Sequence, residues 1–200
     1  MLLAVALFLL QSTADLSAAK HSEALPPQLA PLVAAQLSAG GVRASVGANA
    51  LSFWFVKQLA AASWSELKEG TLLGAVRIDK DFRDIRGRVV KAGTFTLRYG
   101  IQPANGDHLG VSPFREFLLL SPAALDTDPA PRGHDGTVEI SKEAIGGSHP
   151  AVLSVDPPAA QAPPLSVVTT ELGHKAIVLE VPAAGASLRF GLVLIGKIEA

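Results

Sequence analysis

Short runs of apolar and β-branched residues, separated by glycine, proline and asparagine, recur along most of this 200-residue chain. Residues 94–101 form the clearest run, because apolar and polar side chains alternate there with a period of two. One face of that strand should carry Phe95, Leu97 and Tyr99, and the other Thr94, Thr96 and Arg98. Further strands are predicted at residues 42–46, 51–57, 71–78, 88–90, 114–120, 137–140, 151–155, 165–170, 174–181 and 188–195.

So many short strands without alternating long helices favour a sandwich or a barrel. We therefore predict an all-β fold, a single-domain antiparallel β-sandwich spanning residues 42–200. The preceding segment, residues 20–41, carries apolar side chains at helical spacing and ends in Gly40-Gly41. It predicts one short N-terminal helix, which Pro31 limits to the residues that follow it.

Residues 1–19 have the pattern of a secretory signal peptide. Residues 1–10 are almost entirely apolar, and Ser17 and Ala19 precede Lys20 with the small side chains that a signal peptidase prefers. No lysine or arginine precedes the apolar run, which is also too short to cross a bilayer. A cleaved signal is the preferred interpretation, with a retained membrane anchor or a buried hydrophobic element as alternatives. It predicts export to the periplasm or the outer face of a membrane.

Charge and cysteine content exclude several classes of function. The formal net charge is −1, so no strong field is available to attract nucleic acid or an anionic membrane surface. The basic residues of segment 77–91 alternate with Asp79, Asp81 and Asp84, which predicts a mixed, solvated face. The absence of cysteine excludes disulfides, thiolate metal sites and a cysteine nucleophile.

Residues 64–100 carry a family resemblance. Trp64, Gly70 and Gly87 precede a strand that opens with the order Gly-Thr-aromatic-Thr-Leu at residues 93–97. This arrangement resembles a strand entry in exported bacterial β-sandwich proteins of unknown function. The resemblance implies a β-sandwich fold, and it supplies no catalytic residue.

Loop histidines and aspartates are the candidate metal ligands. Asp107 and His108 follow the clearest strand, and His134 and Asp135 follow the next one. Imidazole and carboxylate groups suit zinc or copper, but no two histidines lie one helical turn apart, and turn-forming aspartates explain the same pattern. If residues 114–120 pair back along residues 94–101, the two loops should lie at opposite ends of the sheet, which argues against a single site.

Catalysis is not favoured by any motif. The chain has no Gly-x-Ser-x-Gly element, and the adjacent Ser148 and His149 do not form a triad, whose members come from separate segments. Paired carboxylates for glycoside cleavage remain open, since their spacing is spatial.

Two tryptophans are candidate partner contacts. Trp54 points away from its neighbours Phe53 and Phe55 in a strand. That strand is either buried on both faces beneath the N-terminal helix, or Trp54 is exposed and binds a partner or a sugar ring, as Trp64 could also do.

The preferred function is therefore a non-enzymatic binding or accessory subunit of a membrane-associated or periplasmic complex, with a protein partner in the cell envelope. Strands as apolar as residues 117–120 and 192–195 favour it, because such strands need cover on both faces. A metal-binding protein or metal-dependent enzyme that uses His108, Asp107, His134 and Asp135 is one alternative. A carbohydrate-binding module is the other.

Overall fold

The computed structural model describes residues 15–103, 114–158 and 160–196. Its strands are β1 (Leu16–His21), β2 (Gly41–Val46), β3 (Asn49–Phe55), β4 (Leu72–Ile78), β5 (Phe82–Arg83), β6 (Val89–Val90), β7 (Gly93–Ile101), β8 (Glu116–Pro122), β9 (Val152–Asp156), β10 (Val167–Thr169), β11 (Lys175–Ala183) and β12 (Ala186–Ile195). Its helices are α1 (Pro31–Ala34), α2 (Gly133–Lys142) and a 3-10 turn, Trp64–Glu66.

Ten of the strands form one antiparallel sheet in the order β1-β2-β3-β4-β7-β8-β9-β12-β11-β10. The sheet curls until β1 lies against β10 and β11, so that it nearly closes into a barrel. The all-β, antiparallel prediction is confirmed, whereas two sheets packed face to face are not plainly seen. Pairing runs without a break from one edge strand to the other, and the twist of a long sheet brings its edges together.

Aromatic contacts across the curled sheet identify its interior. Phe55 on β3 meets Phe190 on β12 edge to face, with ring centroids 6.2 Å apart. Trp64 closes one end of the interior, since its ring lies 5.5 Å from that of Tyr99 and 5.3 Å from that of Phe190. The β5–β6 hairpin closes the other end by adding Phe82 to the same core.

The most apolar strands are covered on both faces, as their composition requires. Leu118 and Leu120 join the inner core, whereas Phe117 and Leu119 belong to a separate apolar cluster on the outer face of the sheet. The predicted faces of β7 are confirmed in the same way: its apolar set faces inward, and Arg98 on the opposite set is buried beneath another segment of the chain.

The N-terminal segment supplies part of the outer cover. The short helix α1 begins at Pro31, as predicted, and Val33 and Leu37 next to it are buried. The segment is tied to the end of β3, where the backbone N–H of Ser38 donates to the carbonyl of Phe55 at 2.9 Å. The outer face of β3 is covered by His21 and Glu23, whose ring and backbone carbonyl contact Trp54.

The structure differs from the predicted strand at residues 137–140 and places a strand inside the predicted signal peptide. Residues 137–140, expected as a strand, lie within α2; the β-branched run is outweighed by the packing of Thr137 and Ser141, which bury one helical face. Strand β1 begins at Leu16, inside the segment assigned to a signal peptide, so cleavage after Ala19 stays a prediction. In the described ranges, no helix is long and apolar enough to cross a membrane.

Candidate functional site

A buried arginine fixes the chain segment that leads into α2. Arg98 is fully buried, and its Nε and Nη2 atoms donate to the Asp126 carboxylate at 2.7 and 2.8 Å. Nη1 donates to the carbonyls of Gly70 and Ala130, each at 2.8 Å, and Nη2 also donates to the carbonyl of Asp128. A guanidinium has five N–H donors, and all five have acceptors here, so Arg98 is structural.

The Asp126 carboxylate is equally well satisfied. The Thr96 hydroxyl donates to Oδ2, and Arg132 Nε donates to Oδ1 at 3.1 Å. These two residues, with Arg98 and Asp126, form what we call the Arg98 clasp. The clasp holds residues 126–132 against the outer face of β7, and Gly70 (φ +82°) allows the close approach, because a Cβ there would lie 2.6 Å from the backbone nitrogen of Arg132.

Helix α2 and the sheet enclose a cleft of about 270 Å³, here called the α2 cleft. His134, Val138 and Lys142 are spaced by four residues, so they lie on one face of α2, and all three line the cleft. The floor is the outer apolar cluster, to which β8 and β9 contribute Phe117, Leu119 and Val152. The cleft therefore has an apolar floor and is open to solvent on one side.

Basic side chains stand at the end of the α2 cleft near Lys142. Arg86, from the β5–β6 hairpin, lines this cleft with Ser148 and His149, and those last two residues also line a neighbouring depression that contains Arg88. Lys142 is paired with Glu139 on its own helix. No carboxylate among the described residues forms an ion pair with Arg86 or Arg88.

Asp84 is close to both arginines but is used by the backbone. Its Oδ1 accepts the backbone N–H groups of Arg86 and Arg88 at 3.0 and 2.9 Å, as turn-forming aspartates do. Burial raises the pKa of Asp84. The two N–H groups and the two guanidinium charges act in the opposite direction and partly offset this increase. Burial, followed by repulsion from Arg88, lowers the pKa of Arg86. Two like charges are therefore held near each other in a half-buried place.

The candidate metal ligands are not brought together in the described part of the chain. His134 lies on the first turn of α2, where its Nδ1 is 2.9 Å from Glu69 Oε1, and Asp135 beside it is exposed. Asp107 and His108 lie outside the described residues. Among those described, no group of three or more histidine, aspartate or glutamate side chains is placed to hold a metal ion.

The expectation that the loop at residues 132–135 lies at the far end of β7 is wrong. Glu69, which contacts His134, also accepts the backbone N–H of Ile101, the last residue of β7. Strands β7 and β8 do pair antiparallel. After β8, residues 126–132 run back along β7, where the Arg98 clasp holds them, and α2 begins after that return. Strand pairing alone does not reveal this path.

Trp54 does not offer an exposed indole. It is fully buried on the outer face of β3, where its Nε1 donates to the carbonyl of Glu23 at 3.2 Å and the ring of His21 meets it edge-on at 4.9 Å. The guanidinium of Arg77 lies 5.9 Å from the centre of the ring. The structure thus confirms the interpretation of Trp54 as a buried residue and overturns the alternative of a partner or sugar contact there, because the N-terminal segment already occupies that face. Trp64 is half-buried at the end of the barrel.

The arginines of the cleft were missed by sequence reasoning. The mixed-charge interpretation is correct for Arg77 and Lys91, which pair with Asp79 and Asp81. It fails for Arg86 and Arg88, because the aspartate nearest to them is a turn residue. The signal available in the sequence was the order Asp-x-Arg-Gly-Arg, in which the aspartate is taken up by the turn and not by the arginines.

The fold and the cleft define an all-β protein with a partly basic cleft on the outside of a nearly closed barrel. No protein-family model matches this chain, and neither a curated protein nor a solved structure matches it. The resemblance of residues 64–100 to exported β-sandwich proteins accordingly stays an expectation.

Proposed function

We propose that this chain is a non-enzymatic ligand-binding protein of the cell envelope, which works in the periplasm or at the outer face of a membrane as an accessory subunit of a larger complex. The observation that carries the proposal is the α2 cleft, an open space with an apolar floor on the outside of the sheet. Concave sites that combine apolar lining with a few polar groups are the usual form of small-molecule sites.

The lining of the cleft favours binding over catalysis. His134, the obvious proton acceptor, is engaged by Glu69, and Lys142 is engaged by Glu139. Between these two pairs lies Val138, which faces the apolar floor. Apolar contact in the middle and charge at the ends is an arrangement that orients a ligand.

Location rests on the sequence. The apolar residues 1–10 and the small residues Ser17 and Ala19 support export.

Membership of a complex is tested by native electrophoresis of gently solubilised source membranes, with mass spectrometry of the band. We expect migration with a larger assembly. Release as a free monomer without detergent would remove the accessory-subunit part of the proposal.

Ligand binding is tested on protein purified from its native source. The protein is denatured, and the small molecules released are compared between the natural chain and a Val138→Asp variant. A charged side chain at position 138 in the apolar wall should prevent the cleft from retaining its ligand. We therefore expect the natural chain to release a compound that the variant lacks. Leu125→Asp is the matched control, because Leu125 is 51% exposed and does not line the cleft. Equal release from all three chains, or release from none, would contradict the cleft as a binding site.

A further inference from the structure

Two features of the α2 cleft point to the chemistry of its ligand. The floor formed by Phe117, Leu119 and Val152 is apolar, and each of these side chains is at least 94% buried by its surroundings. The part of the floor that faces the cleft offers apolar contact and no hydrogen-bonding group, so it is suited to an aliphatic or aromatic body and not to a polar one.

The polar side chains around the cleft differ in whether they already contact a carboxylate. His134 Nδ1 lies 2.9 Å from Glu69 Oε1 and Lys142 pairs with Glu139, so both polar side chains on the α2 face are engaged within the protein. Arg86 lines the cleft from the opposite side with no carboxylate in ion-pair contact among the described residues. A guanidinium that is half removed from water and makes no direct ion-pair contact attracts an oxyanion more strongly than an exposed, ion-paired one does.

Arg88 strengthens the same attraction from the neighbouring depression. Its Nη1 is enclosed by protein and has no hydrogen-bond acceptor in the described part of the chain, which is a costly state for a charged group. Ser148 and His149 form the wall that the α2 cleft and this depression share. An anion beside that wall would offset the repulsion between the two guanidinium groups.

We propose that the α2 cleft binds a small organic oxyanion with an apolar body, whose charged group lies against Arg86 at the wall of Ser148 and His149 and whose body covers Phe117 and Leu119. The inference rests on the proposed ligand-binding function and names its ligand class. A guanidinium matches both carboxylate and phosphate oxygens, so the oxyanion on an apolar chain is the shared chemistry. The cleft volume of about 270 Å³ selects a small molecule.

Calorimetric titration of the full chain with octanoate, octyl phosphate, octanol and acetate tests the ligand class. Octanoate or octyl phosphate should bind at least about tenfold more tightly than octanol, because only the anions gain a charge-assisted hydrogen bond. Acetate should bind more weakly than octanoate, since it has no chain to cover the floor. The stronger of octanoate and octyl phosphate identifies the head group.

Variants assign the charge to Arg86. Arg86→Met should lower the affinity for octanoate to about that for octanol and so remove the preference, and Arg86→Lys should restore part of it. Arg83→Met is the matched control: Arg83 lies on the same hairpin, does not line the α2 cleft, and donates to the carbonyl of Gly87 at 2.8 Å. Its titrations should match those of the natural chain.

The outcomes separate this inference from the proposed function. Equal binding of octanol and octanoate, or a preference that survives Arg86→Met, overturns the oxyanion while leaving a ligand-binding cleft. Failure of all four probes with a compound still released from the native protein also overturns only the ligand class. Failure of all four probes together with an empty native protein overturns both.

Discussion

The N-terminal segment and helix α2 cover neighbouring parts of the same outer sheet face, with opposite results. Over β3 the cover is sealed: Trp54 is fully buried, and Arg43 and Arg77 each contact both Glu23 and Asp79 at 2.6–3.2 Å. Over β8 and β9 the helix stands off the sheet and leaves a cleft, and Arg86 at its edge has no ion-pair partner in the ranges that the structure describes.

The difference lies in where the carboxylates are. On the sealed face, Glu23 and Asp79 are free to pair with arginines because neither is needed for a turn. Beside the cleft, Asp84 accepts two backbone N–H groups and so stabilises the hairpin itself. A run in which acidic and basic residues alternate is therefore neutral in composition, yet among the described residues its arginines differ in whether a carboxylate pairs with them.

The largest effect should follow from breaking the Arg98 clasp, which positions α2 and hence one wall of the cleft. Asp126→Ala leaves the buried guanidinium of Arg98 without its counter-charge, which typically costs about 3–5 kcal/mol. We expect the free energy of unfolding, measured with urea, to fall by that amount. A variant Asp81→Ala removes a pair that is exposed and should cost less than about 1 kcal/mol. Equal losses in the two variants would contradict the structural role of the clasp.

Removing part of strand β1 should show how much its pairing with β2 adds to the stability of the sealed side. Four of its six register pairs with β2 involve residues 16–19. Deleting residues 1–19 should therefore destabilise the protein by about 2 kcal/mol relative to deleting residues 1–14, given the modest net stability of each backbone hydrogen bond.

Thermal unfolding of the two shortened chains measures this difference, and mass spectrometry of the exported protein locates the natural cleavage site. Equal melting temperatures would show that residues 15–19 add nothing to the stability of the folded protein. Cleavage after Ala19 together with a lower melting temperature would mean that the exported protein exposes the edge of β2.

Much of this architecture is predictable from local pattern. The alternation in β7 is strong because its two faces differ in polarity along the whole strand, and the apolar runs in β8 and β12 correctly require cover on both faces. Pro31 locates the start of α1 for an equally local reason, since it removes an N–H that a helix interior needs.

What the sequence does not reveal depends on distant partners. Closure of the sheet depends on register and twist summed over ten strands. The clasp joins Arg98 to Asp126, 28 residues away, and an arginine on a strand is ordinarily solvated. Helix α2 begins only where the clasp has returned the chain to the end of β7, so its cleft-lining face has meaning only in the folded protein.

The two faces should also respond to pH in opposite directions. Burial opposes ionisation of Asp79, but hydrogen bonds from Arg43 and Arg77 outweigh it and lower the pKa of this carboxyl. Its contribution to stability is therefore present above the ordinary aspartate pKa and is lost as the pH falls through the lowered one. Asp84 has a raised pKa, so its contribution is full below the ordinary value and is lost as the pH rises through the raised one.

Urea unfolding across the acid range with Asp79→Asn and Asp84→Asn separates the two effects, each of which we expect to be about 1 kcal/mol or less. Asp79→Asn should remove stability mainly above the ordinary aspartate pKa and flatten the loss on the acid side. Asp84→Asn should flatten the fall in stability as the pH rises. Parallel pH profiles in the two variants would show that the faces do not differ in this way.

The smallest effect concerns metal, and it distinguishes a cleft for an anion from a site for a cation. His134 is engaged by Glu69, and the exposed Asp135 beside it has no described partner for a metal site. We expect His134→Ala to leave the zinc and copper content of the natively purified protein unchanged, as measured by plasma mass spectrometry, and to change stability by less than about 1 kcal/mol. His108→Ala, made in parallel, tests the other candidate ligand. Loss of stoichiometric metal in either variant would restore the metal-binding alternative, in which histidine and carboxylate side chains hold a cation.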